Sequence, residues 1–244
     1  MIHPILNLAA YCFSPISDPQ ELRDAWFEAG QALGIKGTIL IAPEGINLYF
    51  AAPEVPCEHM LSKIKAYPGL DQLTVKSSWS DRLPFKRFKV RVKKEIIRMD
   101  HPTIAPVQGR APVVEADTLA RWLDQGHDDQ GRPVVLLDTR NDFEVDVGKF
   151  DQAVDWRIKK FTDFPLAAMK NREQFKDKTI VSYCTGGIRC EKAALYMQEI
   201  GFSHVRQLEG GILNYFDKTD GRHWQGRCFV FDERQSLDPN LKSV

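Results

Sequence analysis

Two short runs constrain this chain more than any other feature. Val134–Asp138 (VVLLD) and Thr179–Tyr183 (TIVSY) are almost continuously apolar. A strand reads that way when both of its faces are buried, as in a parallel sheet. Glu191–Ile200 has helical periodicity and ends at Gly201. His204–Leu208 reads as a third short strand, and Gly210-Gly211 leads into a last helix. With a further helix expected over Glu115–Leu123, strands alternate with helices. That pattern predicts a doubly wound α/β domain.

The first part of the chain has a different rhythm. Residues 5–13 read as a buried strand. Ser17, Asp18 and Pro19 open a helix in which Leu22, Trp26, Ala29 and Leu33 share a face, and Gly34 closes it. Gly37–Ala42 and Ile46–Phe50 flank the turn Pro43-Glu44-Gly45 as a hairpin. Cys57, Met60, Leu61 and Ile64 mark a second helix, ended by Pro68-Gly69. Leu73–Trp79 follows, then Phe88–Ile97 with strict alternation. The order β-α-β-β-α-β predicts a ferredoxin-like domain, with another small α+β packing as the alternative. The expected domains are 1–98 (ferredoxin-like), a Pro-rich linker 99–112, an α/β domain 113–226, and a loose tail 227–244.

Composition excludes some classes. Of 244 residues, 43% are hydrophobic and 27% charged, and 33 Lys and Arg balance 33 Asp and Glu. A net charge of zero removes any global argument for nucleic acid or membranes and leaves only local clusters. Five scattered cysteines are no disulfide framework, so a reducing compartment is expected. The N-terminus lacks a basic signal region, and no apolar run is long enough to span a bilayer. A soluble cytoplasmic protein is the expectation.

The chemistry concentrates at Tyr183–Lys192, YCTGGIRCEK. This segment falls where a buried strand gives way to a helix, the place where open α/β sheets bind ligands. Gly186 and Gly187 let backbone N–H groups converge on one point, the following helix aims its positive end there, and Arg189 adds a cation. Each factor favours a thiolate at Cys184, which would then be a nucleophile. The loop Thr185, Gly186, Gly187 and Ile188 would cradle an anionic adduct. The alternative is a buried structural Cys beside a glycine turn. Cys190 reads equally as packing or as redox-active, and Cys12, Cys57 and Cys228 as structural. No Cys-x-x-Cys or His-x-x-x-His pair suggests a metal site.

Asp138–Glu144 (DTRNDFE) followed by Cys184–Arg189 resembles the rhodanese domain over about residues 110–225. The resemblance implies that Cys184 receives a sulfane sulfur as a persulfide, with Arg189 beside it. Six residues from Cys184 to Arg189 is the rhodanese length; related phosphatase loops are one longer. By the same resemblance Asp138 and Arg140 flank and support the pocket, and a structural ion pair is their expected role. The Gly-His-Ile segment of many rhodaneses is replaced here by Val147-Gly148-Lys149-Phe150.

Eight Lys or Arg and one acid lie between Arg82 and Arg98. Phe88, Val90 and Val92 alternate with Lys89, Arg91 and Lys93, so a strand would bury one face and carry cations on the other. That row, with Lys86 and Arg87, suits RNA phosphates at about 7 Å intervals. It equally suits a charged edge that resists pairing.

The whole chain tips the balance. Glu44-Gly45-Ile46-Asn47, Pro84-Phe85-Lys86-Arg87, Tyr183–Lys192 and Gly226–Arg234 (GRCFVFDER) together resemble the bacterial tRNA uridine-34 5-hydroxylase family, rhodanese-domain proteins of the UPF0176 type. The resemblance implies oxygen-dependent hydroxylation of the wobble uridine to 5-hydroxyuridine, dependent on the loop cysteine. Molecular oxygen would be the co-substrate, with no bound metal or flavin. The anticodon stem-loop of tRNA would be the partner, with no membrane and no obligate protein partner. Leu48-Tyr49 replace the family's Gly-Thr, which puts a loop role there in doubt. Longer members carry a cysteine-rich C-terminal extension; here there is only Cys228, so no zinc site is expected. A plain sulfurtransferase, carrying a cysteine persulfide from thiosulfate-like donors, is the alternative, although a small acceptor needs no basic domain. A non-catalytic RNA-binding or sulfur-carrier module is opposed by the intact loop. Tyr183, Phe161 and Trp156 are candidate stacking surfaces, with core packing as their other role.

Overall fold

The computed structural model describes residues 4–243; the first three positions of the expected N-terminal domain, and Val244, lie outside it. The chain divides between Arg98 and Met99 into two units, each with its own core.

In the first unit, strand β1 (Ile5–Phe13) leads to helix α1 (Pro19–Ala32). The Asp18 carboxylate caps that helix by accepting the Glu21 N–H at 2.9 Å, and Pro19 fits its first turn. Strands β2 (Lys36–Ala42) and β3 (Gly45–Pro53) form the expected hairpin. Helix α2 (Glu54–Lys65) and strand β4 (Val75–Ser80) complete β-α-β-β-α-β. The sheet order β4-β1-β3-β2 has all neighbours antiparallel, the ferredoxin-like arrangement. Ile39, Ile41, Ile46, Leu48 and Phe50 are fully buried under Cys57, Met60 and Ile64 of α2. Leu48 and Tyr49 therefore belong to the interior of β3 and not to a loop.

A fifth strand, β5 (Phe88–Val92), adds to the free edge of β2 in parallel. It is shorter than the alternation predicts. Val92 is 39% exposed and the strand stops there. The chain then bends so that the Ile96 N–H donates to the Glu44 carboxylate at 2.7 Å and Ile96 is buried. One hydrogen-bonded anchor outweighs the continued period-two pattern.

The second unit holds a five-stranded sheet. Its strands are β6 (Val113–Val114), β7 (Val134–Asp138), β9 (Val154–Asp155), β10 (Thr179–Tyr183) and β11 (Val205–Leu208), with β8 (Gly148–Phe150) outside it. The order is β6-β11-β10-β7-β9, all parallel, with β10 central and wholly buried. Helices α3 (Ala116–Gln125), α4 (Asp142–Val145), α5 (Phe164–Asn171), α6 (Ile188–Glu199) and α7 (Gly211–Thr219) surround the sheet strands in sequence. Phe150 anchors the core, with Tyr183, Tyr215 and Trp224 edge-on at 4.7–5.1 Å.

Two expectations need correcting. Residues 99–112 are packed against this unit: Ile104 and Ala111 are buried, His101 lies edge-on to Tyr196, and Arg110 pairs with Glu191. The expected tail 227–244 is not loose over its described residues, 227–243. Strand β12 (Trp224–Gly226) pairs with β8, and β13 (Cys228–Phe229) pairs with β14 (Ser236–Leu237) in a hairpin that Arg227 ties down through Ser236. Polarity and short strand length hid these pairings from periodicity. Among the described residues, no helix is long and apolar enough to cross a membrane.

Candidate active site

Cys184 follows the carboxyl end of the central strand β10, and α6 starts four residues later. The turn demands Gly187, whose φ is 99°. Its N–H donates to Cys184 Sγ at 3.1 Å. The neighbouring loop after β7 locks against the same strand end, with the Thr139 N–H and hydroxyl both donating to the Tyr183 carbonyl at 3.0 Å. From the other side, the Ile212 and Leu213 N–H groups donate to the Cys184 and Thr185 carbonyls at 3.0 and 3.2 Å.

Gly211 makes that last approach possible. Its φ is 66°, and a Cβ there would lie 2.4 Å from the Cys184 carbonyl oxygen and 2.7 Å from the Gly187 nitrogen. The sequence showed Gly210-Gly211 only as a helix start. Its role as the floor of the loop depends on a contact across some 25 residues.

Burial by itself would raise the Cys184 thiol, which is 1% exposed. Four effects outweigh it: a hydrogen bond from Cys190, the Arg189 charge, and the Arg189 and Gly187 N–H groups. Together they bring its pKa down to about 5. The other four thiols move the opposite way, driven first by burial: Cys57 to about 11, Cys228 to about 12, and Cys12 and Cys190 upward. Cys184 is therefore the one thiol of five set up as a thiolate at neutral pH. Cys190, in the first turn of α6, is buried with Thr139 Oγ1 at 3.6 Å from its sulfur.

Arg189 is not a free cation. Its two terminal nitrogens donate to the Glu144 carboxylate at 2.6 and 2.8 Å. Glu144 is fully buried on α4 and also accepts the Asn141 N–H. In the sequence Glu144 stands only as the last residue of DTRNDFE; its role depends on Arg189, 45 residues away. Asp138 and Arg140 form the second buried pair, with Arg140 Nε at 2.9 Å and Nη2 at 2.6 Å from Asp138, and Arg140 also donates to the Glu144 and Gly148 carbonyls. Both residues lie behind the loop, 0–2% exposed, with the Arg140 charge 5.8 Å from the centre of the Tyr183 ring. Thr185, Gly186 and Ile188 are half-buried in the same loop.

In the other unit, Lys86, Arg87, Lys89, Arg91 and Lys93 are all exposed along the β5 edge, with Val90 buried between two of them. Tyr183 and Phe161 are core residues, 0% and 6% exposed, so neither offers a face to a base. Trp156 packs edge-on to Phe175 and tilted on Phe164. Among the described residues, no group of three His, Cys, Asp or Glu side chains is placed to hold a metal ion.

Residues 5–96 match the UPF0176 acylphosphatase-like domain and residues 115–218 the rhodanese-like domain. Proteins called tRNA uridine(34) hydroxylase are 56% identical in Delftia acidovorans, 57% in Bordetella avium and 56% in Variovorax paradoxus. The matches cover 97%, 98% and 98% of this chain and 90%, 99% and 91% of those proteins.

Proposed function

The chain belongs to the tRNA uridine(34) hydroxylase family, and from that premise we propose how its own residues carry the reaction. It is an enzyme that hydroxylates uridine 34 of tRNA. The observation that carries the mechanistic reading is the buried Cys184, held as a thiolate by two backbone N–H groups, Cys190 and Arg189.

Exposed cations on the first unit, Lys86, Arg87, Lys89, Arg91 and Lys93, hold the anticodon stem-loop by its phosphates, contacts that position without reading sequence. The unpaired uridine leaves its stack at small cost. Cys184 sulfur adds to C6 of the base, which places electron density on C5. Molecular oxygen reacts there, leaving one oxygen atom on C5 and the other in water. Two electrons and two protons complete this balance: the Cys190 thiol breaks the C5 peroxide O–O bond and takes the outer oxygen as a sulfenic acid, and Cys184, once freed from C6, displaces that oxygen as water to form the disulfide. Cys190, hydrogen-bonded to Cys184, is placed to be the second thiol. Release of Cys184 from C6, with loss of the C5 proton, restores the ring double bond. The cytoplasm, where tRNA is abundant and thiols are reduced, is the compartment that suits this chemistry.

The test is turnover by the purified chain with unmodified tRNA and a thiol reductant. Hydroxyuridine carrying the label of isotopically heavy oxygen gas is expected under that gas, and none under argon. A label drawn from water would overturn the oxygen step. Sulfur transfer to cyanide without any uridine product would favour the sulfurtransferase reading.

A further inference from the structure

Tyr183 and Phe161 are buried and Trp156 is half-buried, yet the second unit also presents exposed rings. Phe143, on α4, is 43% exposed, and Phe231, just past β13, is 56% exposed. Both lean edge-on against Phe229: the centroids are 5.2 Å apart for Phe143–Phe229 and 5.0 Å for Phe229–Phe231, with 6.3 Å between the outer two. Alternation explains the display. Cys228 and Val230 point inward, which turns Phe229 and Phe231 outward.

The position of this cluster follows from its chain neighbours. Phe143 immediately precedes Glu144, whose carboxylate holds Arg189. The Phe229 carbonyl accepts the Thr185 hydroxyl at 3.5 Å. Two of the three rings are thus fixed by residues that touch the cysteine loop. An exposed cation stands alongside: Lys159, its side chain 79% exposed, pairs with Asp142, the residue before Phe143.

Exposed Phe rings cost free energy in water, and two of them in a cluster tied to the cysteine loop through Glu144 and Phe229, with a cation adjacent, match a partner that is flat, apolar on its faces and anionic at its edge. A nucleotide has all three properties. We infer that Phe143 and Phe231 form a stacking platform for a tRNA loop base flanking the uridine that meets Cys184, with Lys159 set towards a phosphate. The inference rests on the tRNA hydroxylase reading above. It adds residues that position the RNA at the reacting unit itself.

The experiment measures KM and kcat on tRNA for Phe231→Ala and Phe143→Ala, alongside Phe→Tyr and Phe→Leu at each position, with thermal unfolding as the check on folding. The Ala variants should raise KM about five- to a hundredfold, the range expected for one lost base stack, with kcat moving much less. Tyr should restore KM. Leu, equally apolar but without a π face, should not. Ala variants with wild-type KM, or Leu as good as Phe, would overturn the platform. Binding of a fluorescent anticodon stem-loop to Cys184→Ala and to Cys184→Ala/Phe231→Ala separates the two readings. Weaker binding by the double variant supports the platform even if no hydroxyuridine is ever formed. Equal binding refutes it even if turnover is normal.

Discussion

Glu144 and Arg189 lie 45 residues apart in sequence and meet in a two-pronged ion pair inside the second unit, at 2.6 and 2.8 Å. The pair fixes the guanidinium that stabilises the Cys184 thiolate, and it leaves one buried positive charge balanced by carboxylate and sulfur together. Replacing Glu144 with Ala removes both carboxylate hydrogen bonds from that buried guanidinium. A loss of about 3–5 kcal/mol is expected, the usual cost of breaking a buried pair from one side. Urea unfolding of wild type and Glu144→Ala measures it; a loss under about 1 kcal/mol, the scale of an exposed pair, would contradict the geometry.

The acidity of Cys184 fixes a pH dependence. Its folded value, about 5, lies below that of a free thiol. Inactivation by a small alkylating reagent should therefore rise through about pH 5 and be flat at neutral pH. The sign for stability follows: the thiolate's contribution is fully present above the unfolded thiol's value and is lost as pH falls through about 5. An inactivation profile inflecting near about 8.5 would mean an ordinary thiol.

Gly211 supports the loop by its close approach to the Cys184 carbonyl and the Gly187 nitrogen. Gly211→Ala places a methyl group against two backbone atoms of the loop and forces a left-handed conformation that alone costs about 1–2 kcal/mol. The expected result is a loss of kcat larger than that of Gly126→Ala, which shares the positive φ but faces open space. Equal losses would remove the packing argument.

The β5 cations should set the salt dependence of tRNA binding. Replacing Lys89, Arg91 and Lys93 with Ala should lower the slope of log K against log salt by about 2, if each neutralises one phosphate of a single-stranded segment. An unchanged slope would leave β5 as a protected edge and nothing more.

Much of this fold was legible. Val134–Asp138 and Thr179–Tyr183 announced the parallel sheet because burial on both faces leaves no polar positions. Asp18-Pro19 and Gly34 bounded α1 through capping chemistry that is local by nature. The cysteine loop was equally readable, since its thiol, glycines and arginine lie within six residues. Features that depend on distant partners were not. The role of Glu144 needs Arg189, that of Gly211 needs the Cys184 carbonyl, and the Phe143–Phe229–Phe231 cluster joins segments some 85 residues apart. The hairpin beyond Cys228 reads as a tail because two-residue strands carry no period.

The central claim is that Cys184 is the group on which uridine hydroxylation depends. Nucleoside mass spectrometry of tRNA decides it, from cells lacking this gene and complemented with wild type or with Cys184→Ala at matched protein levels. Wild type should restore a uridine with one added oxygen at position 34, and the variant should restore none. Full restoration by Cys184→Ala would contradict the account and move the chemistry away from the loop.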